Sequence, residues 1–357
     1  MSAVGRTLMG RTFVNPAFDY LFIGGGLSLV VTAVVAARGS GALSALLGSS
    51  MVLVLFGGNL AHFAASTVRL YTRPGAFRDF RFLTMGLPVV TLAVLALAIR
   101  FADALGAHLM NLYYTWSPYH YAAQAYGLAL MYAYRSGSNP GDGERVMLRA
   151  ACIAPFLYAF VKGPVAGLDW FVPASIVSEP AFVEARLWLE RTLGVLTLIL
   201  PAAVYVASLR RGVPLPLISL LVMVSNATWW TALFYLQAFA WATVFHGLQY
   251  MAIVAIFHVR ERLQVPGNRR GWAFHAAAFY GACLGLAYFL FYVWPYAFVA
   301  AGFGMAESML LIIAVVNIHH FIVDAYIWRL RRDPNYRIVT GGAPAAPPDA
   351  LPSVVPA

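Results

Sequence analysis

An all-α integral membrane protein, built as a bundle of about ten transmembrane helices, is what the sequence predicts, on three observations. Only 11% of the 357 residues are charged while 61% are hydrophobic, with a mean hydropathy of +0.73; a soluble domain carries roughly a quarter charged residues. Ten stretches reach the roughly 20 apolar residues that a helix needs to cross the hydrocarbon core. The basic residues between them collect in alternate loops, as the positive-inside bias requires.

The ten stretches lie near 18–36, 43–66, 82–103, 106–134, 147–166, 186–208, 214–237, 238–258, 272–295 and 300–328. The first follows Arg6 and Arg11 and has the look of a signal sequence, but the spans after it make it an uncleaved first helix. The third and fourth are expected to join tightly around Gly106, and the seventh and eighth around Ala238. A polytopic domain thus covers 1–337. From Ile338 onward the chain is rich in Ala, Pro and Gly and lacks aromatics, a composition expected to give a disordered cytoplasmic tail over 338–357.

Of 24 basic residues, only Arg38, Arg100, Lys162, Arg186 and Arg191 fall in the loops after odd-numbered helices. The rest flank the other side, which sets both termini in the cytoplasm (N-in, C-in) and the protein as multi-pass in the inner (plasma) membrane. The net charge of +10 is membrane-surface charge scattered through loops, so no nucleic-acid partner is expected. Cys152 and Cys283 both lie in apolar stretches, with neither a disulfide framework nor a CxxC metal pattern.

Ionisable side chains at membrane depth are expensive and therefore candidates for function. His108, His258 and His275 sit near helix ends, where interfacial solvation accounts for them. His62, His120, His246, His319 and His320 fall on helices two, four, eight and ten, all running from outside to inside. The first basic residue beyond each helix comes 7 residues after His62, 15 after His120, 14 after His246 and 9 after His320. At about 1.5 Å per residue, all share the inner half of the membrane, roughly 10 to 22 Å above its edge.

Local patterns place these histidines on inward faces. Asn59, His62 and Ser66 are spaced i, i+3, i+7, and Asn317, His320 and Asp324 repeat that spacing. Tyr113, Ser117, His120 and Gln124 form a polar stripe on the fourth helix, and His246 is followed by Gln249 and Tyr250 on the eighth. Polar stripes of this kind face other helices rather than lipid.

Imidazole is the commonest side-chain metal ligand, and a ligating histidine usually donates its second N–H to a carboxylate, amide or carbonyl. Asp324 is the expected carboxylate ligand; Gln124, Gln249 and Asn59 are placed as ligands or supporting partners. Several histidines with at most one carboxylate suit iron, with copper or zinc as alternatives, and argue against magnesium or calcium. One ion or two remains open at this point. Packing histidines bonded to neighbouring helices are the structural alternative, and five at one depth weigh against it.

Spacing sets several classes aside. HxxxH and HxxHH boxes of membrane desaturases, HExxH, GxSxG and an Asp-rich prenyl-diphosphate motif are all absent. The segments NLAHF with His62, SPYHYAAQAYG with His120, FHGLQY with His246 and NIHHFIVD with His320 give the chain an architecture that resembles the Brp/Blh-like β-carotene dioxygenases. That resemblance implies a multi-spanning bundle whose histidines hold a non-haem iron and cleave a buried polyene. This chain has more helices than that family.

The expected function is a metal-dependent oxygenase or oxidase acting on a lipophilic substrate that enters from the bilayer. An electron donor is a possible partner. His62, His120, His246 and His320 are the expected ligands, His319 and Asp324 additional ones, with Asp324 and Gln124 also expected to serve the chemistry. The alternative is a proton- or ion-coupled transporter that uses the same His and Asp residues as a relay.

Overall fold

The computed structural model describes residues 8–39, 41, 45, 48, 50–163, 167–212, 214–238, 240–328 and 333–340. Among them every regular element is a helix. Seven helices are long and apolar enough to cross a membrane: α2 (Ser50–Thr72), α3 (Phe82–Arg100), α6 (Pro180–Arg210), α7 (Leu217–Tyr235), α8 (Ala240–Leu263), α9 (Trp272–Ala300) and α10 (Met305–Ile327). The pair Pro16–Ile23 and Gly26–Arg38, together α1, makes an eighth if its 58° bend lies within one span. The protein is therefore an all-α, multi-pass membrane protein.

Two further helices coincide with the expected fourth and fifth spans, α4 (Ala102–Arg135) and α5 (Asp142–Lys162). Their 34 and 21 residues are ample, but their composition falls short of the other seven. In α4 the diluting residues are the polar stripe itself, Tyr113, Ser117, His120 and Gln124; in α5 they are Asp142, Glu144, Arg145 and Arg149 in its first turns. The tight join between α3 and α4 falls at Phe101, not at Gly106, which lies inside α4. The seventh and eighth helices do turn around Ala238, where Gln237 takes a left-handed φ of 53° and the Ala238 amide bonds back to Leu233.

The bend in α1 has a local cause. Asp19–Ile23 forms a π-helical turn, and Gly25 follows at φ 82°, pressed against the Ser225 side chain, where a β-carbon would collide. The break frees carbonyls that other helices take up: Ser225 Oγ donates to Gly24 O at 3.1 Å and Gln249 Nε2 to Ile23 O at 2.6 Å. Orphaned carbonyls of a broken helix must be satisfied inside a membrane.

The centre of the bundle is made by α2, α4, α8 and α10. Helix α10 packs on both α2 and α4, and α8 packs on α2. Gln124 Nε2 donates to Gln249 Oε1 at 2.8 Å and ties α4 to α8.

One end of the bundle holds both ends of the described chain. Arg135 Nε donates to the Thr12 carbonyl at 2.9 Å, and Arg260 Nη2 to the Phe13 carbonyl at 2.6 Å. Both guanidinium groups lie over the Phe13 ring. Asp19, buried, accepts the amides of Phe13, Val14 and Asn15 and the Tyr132 hydroxyl, which fixes this segment. A short helix α11 (Asp333–Thr340) arrives at the same face with Ile338 and Val339 buried in the core. The disordered tail expected from 338 is corrected accordingly: α11 runs through Thr340, because Ile338 and Val339 have apolar surface to bury. Residues 341–357 lie outside the described residues.

Arg69 is a second correction. The sequence puts Arg69 in the loop beyond the second span, as the first basic residue after His62, but it is 1% exposed, inside α2. It pairs with Glu261 at 3.1 Å and lies over the Trp328 ring at 4.2 Å. Its partner is 192 residues away, and a hydropathy pattern does not reveal such a pair.

Candidate metal centre

The site starts from the backbone of α2. Residues Leu55–Leu60 form a π-helical turn, a local irregularity that often accompanies function. Immediately after it, His62 Nδ1 lies 2.5 Å from the Asn59 carbonyl. A carbonyl oxygen only accepts, so Nδ1 carries the ring proton and Nε2 presents its lone pair. Gly58 of the π turn faces Gly247 of α8 at a distance that leaves no room for a methyl group on Gly247. That close approach sets His62 beside His246.

The four helices contribute one imidazole each to a closed ring. Ring centroids are separated by 5.1 Å for His62–His246, 5.1 Å for His246–His120, 4.9 Å for His120–His320 and 5.2 Å for His320–His62. Neighbouring planes are crossed at 70–89°. All four histidines are buried. Two rings are held by aromatic faces: Tyr121 stacks on His246 at 3.9 Å and Phe321 on His120 at 4.6 Å. His320 Nδ1 is 3.0 Å from Ser66 Oγ, one turn below His62 on α2.

Asp324, one turn after His320, stands at the edge of the ring. Its Oδ2 lies 3.5 Å from His320 Nε2 and 3.8 Å from His120 Nε2. Its Oδ1 accepts the Tyr250 hydroxyl at 2.5 Å. Two overlapping groups have ligand atoms close enough to share an ion: His62, His246 and His320, and His120, His320 and Asp324. They have His320 in common.

Five imidazole nitrogens in this ring are buried without a hydrogen-bond partner among the described residues: His62 Nε2, His120 Nε2, His320 Nε2 and both nitrogens of His246. An unsatisfied buried polar atom costs about 1–3 kcal/mol. Five together are comparable with the whole stability of a domain, about 5–15 kcal/mol.

Not every expected residue joins the ring. His319 is turned toward α3, where its Nδ1 meets Thr91 Oγ1 at 2.9 Å, so its expected ligand role is corrected. Adjacent helical residues project about 100° apart, and the ring takes only His320. Gln124 is engaged elsewhere; its amide donates to Gln249, whose own amide donates to the Ile23 carbonyl. Asn59 contributes its carbonyl rather than its side chain, and Asn317 bonds back to Ile313. His108 pairs with Trp170, His275 with Asn268, and His258 stacks on Phe279, all away from the ring. Tyr250 was missed as a member of the site. Tyr250 is recognisable only as one polar residue a turn after His246.

Comparison with protein families, with characterised proteins and with solved structures gives no match for this chain. The likeness to the Brp/Blh-like dioxygenases therefore rests on the short histidine segments alone.

Proposed function

We propose that the protein is a membrane-embedded metalloenzyme of ten crossings with both termini cytoplasmic, most simply an iron-dependent oxygenase or oxidase of a lipophilic substrate. The observation that carries this reading is the ring of four buried imidazoles with its unpartnered nitrogens. Rings about 5 Å apart in a closed square leave their common centre roughly 3.5 Å from each centroid. A ring nitrogen about 2.1 Å from an ion puts its centroid at nearly that distance. One ion is favoured over two, since both ligand groups share His320. Four neutral imidazoles and one carboxylate suit iron, with copper or zinc as alternatives, and leave a position for a further ligand.

In this reading His62, His120, His246 and His320 hold the ion, and Asp324 offsets its charge within the bilayer. A redox-active ion held there supplies one-electron chemistry with dioxygen. The chain's own residues exclude bulk water, fix the tautomer of His62 and orient Asp324 through Tyr250. The substrate class follows from the setting: a buried site walled by Tyr121, Phe321 and Phe63 inside a lipid-solvated bundle takes apolar molecules.

Metal analysis of detergent-purified protein tests the reading. Near-stoichiometric iron, copper or zinc is expected. Single His→Ala changes at 62, 120, 246 and 320 each deplete it, while those at 108, 275 and 319 do not. Full retention across the first four removes the proposal. A second reading, a proton-coupled transporter, is favoured by one observation, the Tyr250–Asp324 hydrogen bond beside the buried cation Arg69.

A further inference from the structure

The four helices that carry the imidazole ring share a second meeting point about two turns or more below it. On α2, Arg69 Nη2 donates to Asn335 Oδ1 of α11 at 3.1 Å. At the end of α10, the Ile327 carbonyl accepts Asn335 Nδ2 at 2.8 Å. From α4, Arg135 Nη1 donates to the Val339 carbonyl at 3.1 Å, and from α8, Arg260 Nη1 donates to the Ile338 carbonyl at 3.3 Å. One eight-residue segment therefore shares a hydrogen bond with every helix that supplies a ring histidine, accepting from α2, α4 and α8 and donating to α10.

These bonds are strong for their kind. Three involve a guanidinium, and charge-assisted bonds are roughly twice as strong as neutral ones. Asn335 is 1% exposed, and Ile338 and Val339 are buried, so water does not compete for them. Arg69 is further fixed by Glu261 and by the rings of Trp328 and Phe257. Arg135 and Arg260 also hold the Thr12–Phe13 backbone, so the clasp is braced from a second strand of chain.

Ring geometry is sensitive to small helix shifts. The His62–His246 pair depends on the Gly58–Gly247 approach, and the His120–His320 pair on α4 lying against α10. At the inner end Arg69 of α2 already pairs directly with Glu261 of α8, and α11 adds the bonds that tie α4 and α10 to that pair. We propose that α11 is a positioning clasp: Asn335, with Arg69, Arg135 and Arg260, locks the inner ends of α2, α4, α8 and α10 and thereby sets the four imidazoles at their mutual spacing. Its effect on metal affinity rests on the metal reading above; its effect on the helices does not.

The experiment compares chains ending at residue 340 and at residue 332, alongside the full chain and Asn335→Ala. Hydrogen exchange over 317–327 is measured on metal-free protein, and cobalt(II) affinity by competition with a coloured chelator. The chain ending at 340 should match the full chain in both. The chain ending at 332 should exchange several-fold faster over 317–327 and bind cobalt at least tenfold more weakly, the range seen when partners that orient ligands are lost. A synthetic peptide of residues 333–345 should restore both. Should the chain ending at 332 fail to insert, Asn335→Ala must show the same two changes in smaller measure. Unchanged exchange in the inserted truncated chain, or in Asn335→Ala where that alone folds, overturns the clasp. Absence of cobalt binding by the full chain sinks the metal reading instead, and the exchange comparison still decides the clasp.

Discussion

Tyr250 on α8 and Asp324 on α10 form a 2.5 Å hydrogen bond in which the phenol donates to Oδ1, leaving Oδ2 turned toward His120 and His320. A carboxylate has two oxygens to satisfy, and this pairing decides which one faces the ring. Without the phenol, Oδ1 loses its Tyr250 donor and the carboxylate is oriented by its Trp328 hydrogen bond alone. Tyr250→Phe removes one oxygen and keeps the packing against His320. Metal affinity in that variant should fall by about 10- to 100-fold, the usual range for a lost supporting partner, while helix content is unchanged. The double variant with Asp324→Asn should lose little more than the worse single one, since contacting residues are not additive. Affinity equal to wild type in Tyr250→Phe would remove Tyr250 from the site.

The ring histidines were legible because two independent signals agree on them, a shared depth and polar stripes at helical spacing. The stripe Asn317, His320, Asp324 already separates His320 from His319, although depth alone does not. Helix α4 was legible at 106–134 although the residues that mark it as a site helix are those that lower its hydropathy. Arg69, by contrast, was misplaced. An arginine reads as a helix end unless its buried partner is known, and Glu261 and Asn335 lie 192 and 266 residues away. The π-helical turn at Leu55–Leu60 leaves no periodic trace in so short a segment, although the adjacent Gly57 and Gly58 mark a close approach.

Gly247 and Gly58 separate packing from ligation. A β-carbon on Gly247 would run into the Gly58 carbonyl and come within 3.0 Å of His62 Nδ1, whereas one on Gly58 meets only Leu248 and Val244 side chains at 3.6 Å. Backbone cannot yield as a side chain can, so Gly247→Ala forces α8 away from α2. Overpacking of this kind costs typically about 1–3 kcal/mol. Gly247→Ala should unfold at lower temperature in detergent and lose metal, and Gly58→Ala should do neither. Equal behaviour of the two would mean that α2 and α8 do not approach as closely as described.

Topology is tested independently of any metal. The Thr12–Phe13 segment and α11 are held by the same two arginines, Arg135 and Arg260, so both must emerge on one side. Reporter fusions after Arg81, Arg149, Arg270 and residue 345 should all report the cytoplasm, while fusions in the 173–179 loop should report the opposite side. A split result among the first four would break the ten-crossing arrangement, and with it the common depth of the histidines.

Asp324→Asn distinguishes the metalloenzyme from the transporter. The amide keeps the size and one acceptor for Tyr250 but removes the charge that sits 3.5 Å from His320 Nε2. In the metalloenzyme, that charge offsets the ion in a medium where an uncompensated charge is expensive. The variant should therefore fold with its four imidazoles in place and hold metal about 10- to 100-fold more weakly. In a transporter the same carboxylate is the group that changes protonation state along the path, and its loss abolishes flux regardless of metal. Metal content and proton flux in reconstituted vesicles, measured on wild type and variant side by side, separate the two. Wild-type protein that copurifies with iron and shows no flux, with iron depleted by Asp324→Asn, establishes the enzyme reading. Metal-free wild type with a proton flux that disappears in Asp324→Asn would assign the four histidines to a relay instead.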